Sequence, residues 1–206
     1  MLKIIFYIFV MIAFIITAIS VYHLQKVKAK NKAEMDAFTN DVPLKAKLGK
    51  VLVVYYSLSG HTKDIALQIA DKTKADTFEI ETTESYSSPS VYIKSKKELS
   101  SQNYPELKNN NFPDMANYDT IFVGSPVWWY TMAPALYSFL SKIDFNGKKV
   151  VPFSTQGSNC GSFFTDFANK AQNAQILNGE QFNNIDDKFK PQVSNKINTW
   201  LNKLSQ

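Results

Sequence analysis

The chain has 206 residues, of which 45% are hydrophobic, and its formal net charge is +5. Its single cysteine, Cys160, excludes an intramolecular disulfide and any metal site built from several cysteines. All 23 basic side chains are lysine, which excludes chemistry that needs arginine, such as an arginine finger. Residues 1–49 hold seven lysines and three acids, whereas residues 50–206 hold sixteen lysines and fifteen acids. The larger part is therefore nearly neutral, which argues against nucleic acid as a partner.

Residues 1–23 are predicted to form a transmembrane anchor. Ile4–Tyr22 passes nineteen residues without a charge, and a helix of that length is about 28 Å long, close to the hydrocarbon thickness of a bilayer. Four lysines follow the run, at positions 26, 28, 30 and 32. The positive-inside rule therefore predicts a single-pass protein whose main domain is cytoplasmic. A cleavable signal peptide followed by export remains an alternative, because Ala18 and Ser20 offer a small-x-small cleavage site.

Residues 24–49 are predicted to be a polar linker, and residues 50–206 a single domain. The stretch 31–50 is mixed in charge and contains Pro43. We interpret it as a tether with some helix.

The domain begins with a predicted strand–helix–strand unit. Residues 50–56, KVLVVYY, form a continuous apolar run that is typical of a strand buried on both faces of a parallel sheet. In residues 61–74, apolar side chains recur at helical spacing, and residues 76–81 alternate like an edge strand. The following stretch, 82–115, is polar, and only Val91–Ser100 in it suggests a helix.

Strands and helices continue to alternate to the end of the chain. The predicted strands are 118–126, 147–155 and 174–182, and the predicted helices are 133–143, 162–172 and 187–204. Five strands that alternate with helices predict an α/β fold with a doubly wound parallel sheet and helices on both faces. Ligands of such folds bind beyond the carboxyl ends of the strands. Three unusual loops follow those ends here: SLSGHT, SPVWWYTM and STQGSNCGS.

The first loop has the composition of a phosphate site. Ser57, Ser59 and Thr62 offer hydroxyl groups, Gly60 permits a tight turn, and a helix follows whose first N–H groups are unpaired. The P-loop motif G-x-x-x-x-G-K-[ST] is absent, as is G-x-G-x-x-G. The loop is therefore expected to hold a terminal monophosphate without a metal, although a serine-rich helix cap without a ligand explains part of the pattern.

The other two loops suit the remainder of such a ligand. Trp128, Trp129 and Tyr130 can cover a planar ring, although one of the tryptophans can equally cap the core. The third loop, 155–162, is rich in glycine and amides that can meet the polar edge of a ring, and its Cys160 has no basic neighbour in sequence that would activate the thiol. A monophosphate site, an aromatic wall and a polar loop together predict flavin mononucleotide (FMN).

These motifs resemble those of the flavodoxin family, and of its branch whose second loop reads G-x-P-x-W-W. SLSGHT matches the family's phosphate loop, GSPVWW its aromatic loop and FSTQGSNCG its glycine-rich third loop, over about residues 50–182. The resemblance implies a five-stranded sheet of order 2-1-3-4-5 and no metal. It also implies a set of FMN-binding residues: Ser57, Leu58, Ser59, Gly60, His61, Thr62, Pro126, Val127, Trp128, Trp129, Tyr130, Thr155, Gln156, Gly157, Ser158 and Gly161.

The function expected from the resemblance is electron transfer through FMN, with a redox partner that the sequence does not identify. The predicted N-terminal anchor, which is outside the resemblance, suggests that the partner or a quinone acceptor is at the membrane. No catalytic acid or base in the chain is then required, because the flavin carries the electrons. An NAD(P)H-dependent reductase of quinones remains an alternative. A scaffold that keeps the fold without flavin is the alternative of another class.

Overall fold

One sheet forms the centre of the computed structural model of the chain, which describes residues 2–87, 90–184 and 187–204. Met1 of the predicted anchor and residues 205–206 of the predicted domain lie outside these ranges. The strands are β1 (Val51–Tyr55), β2 (Asp76–Glu79), β3 (Thr120–Trp128), β4 (Thr131–Met132), β5 (Lys149–Gln156), β6 (Gln175–Ile176) and β7 (Glu180–Asn183). Their order is β2-β1-β3-β5-β6, with β7 also paired to β5, and all these pairs are parallel. The predicted order 2-1-3-4-5 is confirmed, with its fifth strand divided into β6 and β7.

Six α-helices occur in the described part of the chain. They are α1 (Leu2–Asp36), α2 (His61–Thr73), α3 (Ser90–Ser101), α4 (Pro134–Leu140), α5 (Phe163–Lys170) and α6 (Lys190–Leu204). Short 3-10 turns precede β3 and α6. The helix that the sequence only suggested near Val91–Ser100 is therefore present as α3.

The sheet is covered on both faces, as expected of a doubly wound fold. Side chains from β1 alternate between two apolar clusters: Leu52 and Val54 point to one, and Val51 and Val53 to the other. The first cluster is closed by α3, α4 and α5, and the second by α2 and α6. Burial on both faces explains why the β1 sequence is apolar throughout rather than alternating.

The fifth strand is broken where the sequence predicted one continuous strand over 174–182. Leu177 donates its N–H to the carbonyl of Val150, and pairing resumes between Phe153 and Glu180. Pro152 lies between these points in β5 and has no N–H to donate to a neighbouring strand. The ladder is therefore interrupted at this proline.

The stretch 31–50 is not a free tether. Helix α1 continues to Asp36, and its last turns bury Asn31 and Met35. The following residues, 38–46, which we call the strap, lie along α6. Three asparagines of α6 bind the strap's backbone: Asn195 to Phe38, Asn198 to Val42, and Asn202 to Pro43, Lys45 and Ala46.

Helix α6 and the strap both run from the carboxyl ends of the strands to their amino ends. Helix α6 follows β7, and its last residue, Leu204, lies beside Gly49, Asp119 and Lys149 at the strand starts. The strap's contacts move in the same direction, from Asn195 to Asn202. We call the side of the sheet at the carboxyl ends of the strands the carboxyl edge, and the side at their amino ends the amino edge.

Candidate functional site

A cavity of about 560 Å³ opens at the carboxyl edge. Its volume falls in the range of roughly 300 to 1,000 Å³ that is usual for small-molecule sites. Loops after β1, β3 and β5 form most of its walls, and α3 and Asn184 complete it. The predicted residues that line it are Leu58, Ser59, His61, Thr62, Pro126, Val127, Trp128, Trp129, Tyr130, Thr155, Gln156, Gly157 and Ser158.

The first loop presents an open helix terminus to this cavity. Helix α2 begins at His61, and no side chain caps it at Gly60, whose φ of 93° lies in the left-handed region. Nothing stands within 4 Å of the position of a Cβ at Gly60, so the turn is open on that side. The first N–H groups of a 13-residue helix and the positive end of its dipole are thus available to an anion. A serine cap without a ligand does not describe this terminus.

The hydroxyl groups of the first loop have different tasks. Ser57 Oγ accepts a hydrogen bond from Gly60 N at 3.2 Å and so closes the turn rather than lining the cavity. Thr62 and Thr155 are both buried, and their hydroxyl oxygens lie 2.7 Å apart, which ties the first loop to the third. Ser59 is exposed on the cavity wall. His61 lines this cavity and a smaller one of about 240 Å³ on the other side of the loop.

The second loop is a β-hairpin. Strand β3 continues through Trp128 and pairs antiparallel with β4, with Trp128 opposite Thr131. The two residues of the turn, Trp129 and Tyr130, have φ values of 52° and 64°. Two successive positive φ values are typical of a type I′ turn, which Asn-Gly normally fills. Large aromatic residues hold this conformation at a cost of about 1 kcal/mol each, a form of strain that is common at functional sites.

The two tryptophans of the hairpin differ in their surroundings. Trp128 packs edge to face on Tyr86 and Tyr56, with ring centroids 5.0 and 5.8 Å away, and thus joins the core to the cavity. Trp129 is 43% exposed, and its Nε1 donates to Ser95 Oγ at 3.0 Å. One tryptophan therefore caps the core, as the sequence allowed, and the other lies partly exposed on the cavity wall.

Two tyrosine hydroxyls behind Trp128 stay protonated. Burial, followed by the nearby Glu98 carboxylate, raises the pKa of Tyr56. Burial and a 2.6 Å hydrogen bond from its hydroxyl to Glu98 raise the pKa of Tyr86. The described lining of the cavity itself contains no carboxylate that would repel an anion.

The third loop contributes a buried amide network. The side chain of Gln156 is buried; its Nε2 donates to Gln181 Oε1 at 3.1 Å and to Asn183 Oδ1 at 3.3 Å, and its Oε1 accepts from Ser154 Oγ at 3.0 Å. Asn183 in turn donates to Glu34 of α1 at 3.0 Å. A chain of hydrogen bonds therefore connects the cavity wall to the N-terminal helix.

Gly161 shapes the cavity without lining it. Its φ is 55°, and a Cβ at this position would meet the backbone oxygen of Tyr130 at 2.1 Å. Ser162 N also donates to that oxygen, at 2.7 Å. The third loop thus holds the hairpin in place. Cys160 beside it is a free, half-buried thiol.

Sequence reasoning missed four residues of the lining. Val91, Tyr92 and Ser95 come from α3, and Asn184 from the segment after β7. Asn159, which also lines the cavity, belongs to the amide-rich third loop that the sequence singled out. Asn184 directly follows β7, so the rule that ligands bind at carboxyl ends points to it once the last strand is placed. No comparable sequence signal indicates that α3 lines the cavity, because the polar stretch before it does not show where the helix lies relative to the sheet.

The comparisons with known proteins agree with this fold. The family model described as flavodoxin matches residues 50–204. A candidate flavoprotein from Bacteroides uniformis is 26% identical, with a TM-score of 0.63 over 75% of this chain and 99% of its own. A candidate flavoprotein from Bacteroides eggerthii is 24% identical, with a TM-score of 0.65 over 77% and 99%. A flavoprotein from Lactobacillus acidophilus, solved in complex with FMN, is 24% identical, with a TM-score of 0.59 over 65% and 93%. No curated protein sequence matches the chain.

Proposed function

Since the chain belongs to the flavodoxin family, we propose that it binds FMN in the cavity at the carboxyl edge and works as a membrane-anchored electron-transfer protein. The observation that carries the proposal is the uncapped start of α2, which opens into a cavity with an aromatic wall. The FMN complex of the Lactobacillus acidophilus flavoprotein, which shares the fold, supports the same ligand.

Each wall of the cavity has a task in this proposal. The first N–H groups of α2, with the hydroxyls of Ser59 and Thr62, hold the phosphate. Trp129 and Tyr130 offer faces for stacking on the isoalloxazine ring, which bound FMN supplies as the electron carrier. Gly157 and Ser158 lie where they can meet the polar edge of the ring, and Gln156 keeps their loop in place through its buried amide contacts.

The N-terminal helix anchors this activity to a membrane. Among the described residues, Lys3–Asp36 is the one helix long and apolar enough to cross a bilayer. The lysines at positions 26, 28, 30 and 32 support a cytoplasmic location of the domain by the positive-inside rule. Extraction with alkaline carbonate tests the anchor: an integral protein stays with the membrane, whereas release of the chain would contradict anchoring.

An exposed apolar rim favours a second candidate, the NAD(P)H-dependent reduction of quinones. Leu58 and Tyr130 at the rim of the cavity are 44% and 66% exposed. Such a surface suits a lipid-soluble acceptor better than a charged soluble one. Turnover of NAD(P)H by the FMN-loaded chain with a water-soluble quinone would identify a reductase, and its absence would leave the electron carrier.

Titration with two flavins tests FMN binding directly. The full chain in mild detergent is titrated with FMN and with riboflavin, which has the same ring without the phosphate, while flavin fluorescence is recorded. If α2 holds the phosphate, FMN binds at least about a hundredfold tighter, since two charge-assisted hydrogen bonds are worth about 3 kcal/mol or more. A folded chain that binds neither flavin would overturn the proposal and favour the scaffold. Equal affinities would show that α2 does not hold the phosphate.

A further inference from the structure

Helix α1 joins the apolar run and the domain without a break. It is one continuous helix from Leu2 to Asp36. The run Ile4–Tyr22 is exposed along its whole length, and Asn31 and Met35 are buried one turn apart against the domain. A continuous helix fixes the orientation of the domain relative to the apolar run, which a flexible linker would not do.

The contact between α1 and the domain lies at the carboxyl edge. Glu34 accepts from Asn183, the last residue of β7, at 3.0 Å, and from Lys196 Nζ at 2.6 Å. The Lys196 side chain is only 5% exposed and also pairs with Glu180 at 3.3 Å. Lys196 is buried and paired with two carboxylates, so its contact with Glu34 is a specific buried ion pair and not an exposed surface salt bridge.

The direction of the chain places the apolar run beyond this edge. After α1, the strap follows α6 toward the amino edge. Residues 23–30 are exposed except for half-buried Val27, so α1 leaves the domain within two turns of Asn31. Asn31 is nine positions after Tyr22 in the helix, which is a rise of about 13 Å. Helix α1 thus departs from the domain near the carboxyl edge, where Glu34 makes its contacts.

The same edge carries most of the exposed apolar surface of the domain. Outside α1, seven large hydrophobic residues in the described ranges are exposed: Leu58, Leu67, Tyr92, Ile93, Trp129, Tyr130 and Ile176. Four of them line the cavity, and Ile93 adjoins Tyr92. We call these five residues the rim. Lys96 stands over the Trp129 ring at 4.6 Å, and Lys97 follows it on α3.

We propose that the rim lies on the anionic headgroup surface of the membrane in which α1 is inserted. Tryptophan and tyrosine are enriched at that depth, and lysines are attracted to anionic lipids. The lysines of α1 at positions 26, 28 and 30 approach the same surface. The cavity then opens toward the lipid, so bound flavin meets a redox partner within or on the bilayer rather than a soluble carrier. This inference rests on the proposed membrane anchor and FMN site.

A pair of matched probes tests the orientation. Full-length chains carrying Cys160→Ser receive one new cysteine each, at Ile93→Cys on the rim or at Asn117→Cys on the amino edge. Both positions are exposed. Each chain is labelled with the same fluorophore and reconstituted in vesicles of phosphatidylcholine with phosphatidylserine. Quenching by a lipid with a spin label on its headgroup is then measured, and flavin binding of each chain is recorded in parallel.

The rim probe is expected to be quenched at least threefold more than the amino-edge probe, and more strongly as phosphatidylserine increases. Equal quenching of both probes, or stronger quenching at Asn117→Cys, overturns the proposal. Failure of the chain to float with the vesicles also overturns it, together with the anchor. Loss of flavin binding with the quenching difference intact would instead contradict the FMN proposal and leave the orientation standing.

Discussion

The two edges of the sheet differ in how side chains cap the backbone N–H groups of their turns and helix starts. At the amino edge, carboxylates cap the turns: Asp119 accepts from Lys50 N at 2.7 Å, Asp114 from Ala116 N at 3.0 Å and Asp144 from Asn146 N at 2.8 Å. At the carboxyl edge, no side chain caps α2, and the hairpin turn holds two aromatic residues at positive φ. Carboxylates thus cap turns at the amino edge, whereas the carboxyl edge leaves the start of α2 without a side-chain cap and holds two aromatic residues in a strained turn, where a ligand can use both.

The largest expected effect tests whether the strap, which joins the two edges, is part of the fold. A chain that begins at residue 24 keeps the strap, and one that begins at residue 48 loses it. The shorter chain loses five hydrogen bonds to Asn195, Asn198 and Asn202, at about 1 kcal/mol each. It also loses the Glu34 contacts with Lys196 and Asn183 and the buried side chain of Met35. We expect its free energy of unfolding in urea to fall by at least roughly 5 kcal/mol relative to the chain that begins at residue 24. Equal stability of the two chains would mean that the strap is only a tether.

The next prediction compares the effect of one added negative charge at each edge on FMN affinity. Ser59→Asp places a carboxylate on the exposed first loop, where its repulsion of the phosphate should weaken FMN binding roughly a hundredfold or more. Asn117→Asp adds the same charge at the amino edge and should leave the affinity unchanged. Riboflavin lacks the phosphate, so its affinity should change little in either variant. Fluorescence titration measures the FMN and riboflavin affinities of both variants. An undisturbed FMN affinity in Ser59→Asp would mean that the phosphate lies elsewhere.

Relief of the hairpin strain should move stability and binding in opposite directions. The double substitution Trp129→Asn, Tyr130→Gly supplies the residues that a type I′ turn prefers, so the free energy of unfolding should rise by about 1 to 2 kcal/mol. The same change removes two aromatic faces, and the FMN affinity should fall about tenfold. Thermal unfolding and flavin titration of the same samples give both values. A hairpin that became less stable would show that the aromatic contacts outweigh the strain.

The smallest effect is expected from a substitution at the amino edge, which should change stability and leave FMN binding unchanged. Asp119→Ala leaves Lys50 N without its acceptor and should lower the free energy of unfolding by about 1 kcal/mol. FMN binding should stay as it is, because Asp119 lies at the opposite edge of the sheet from the cavity. Urea unfolding and titration check both statements. A loss of FMN affinity would break the separation between the edges.

The sequence predicted the sheet well because its signals are local. The run Val51–Tyr55 is apolar throughout, as burial on both faces requires, and the strand–helix alternation determines a parallel order. The first loop was recognisable because small and hydroxyl-bearing residues stand at a helix start. All of these features depend on a few neighbouring residues.

Features that depend on distant contacts were not predictable in the same way. The hairpin was hidden because Trp129 and Tyr130 are not turn formers, and contacts outside the turn hold them there: the pairing with β4, the bond from Ser162 N to Tyr130 O and the bond from Trp129 Nε1 to Ser95. The contribution of α3 depends on how a polar stretch folds back over the sheet. One signal of the strap is present in the sequence: asparagines 195, 198 and 202 repeat at helical spacing on α6 and so share one polar face.

Hydrogen exchange measured with and without FMN tests the central claim most directly, because it locates the ligand on the folded chain. The account predicts slower exchange at the carboxyl edge, in the first turn of α2, the hairpin and the loop after β5, with no change at the 3-10 turn before β3 or at Gly49. Protection at the amino edge, or an unchanged pattern at saturating FMN, would contradict it.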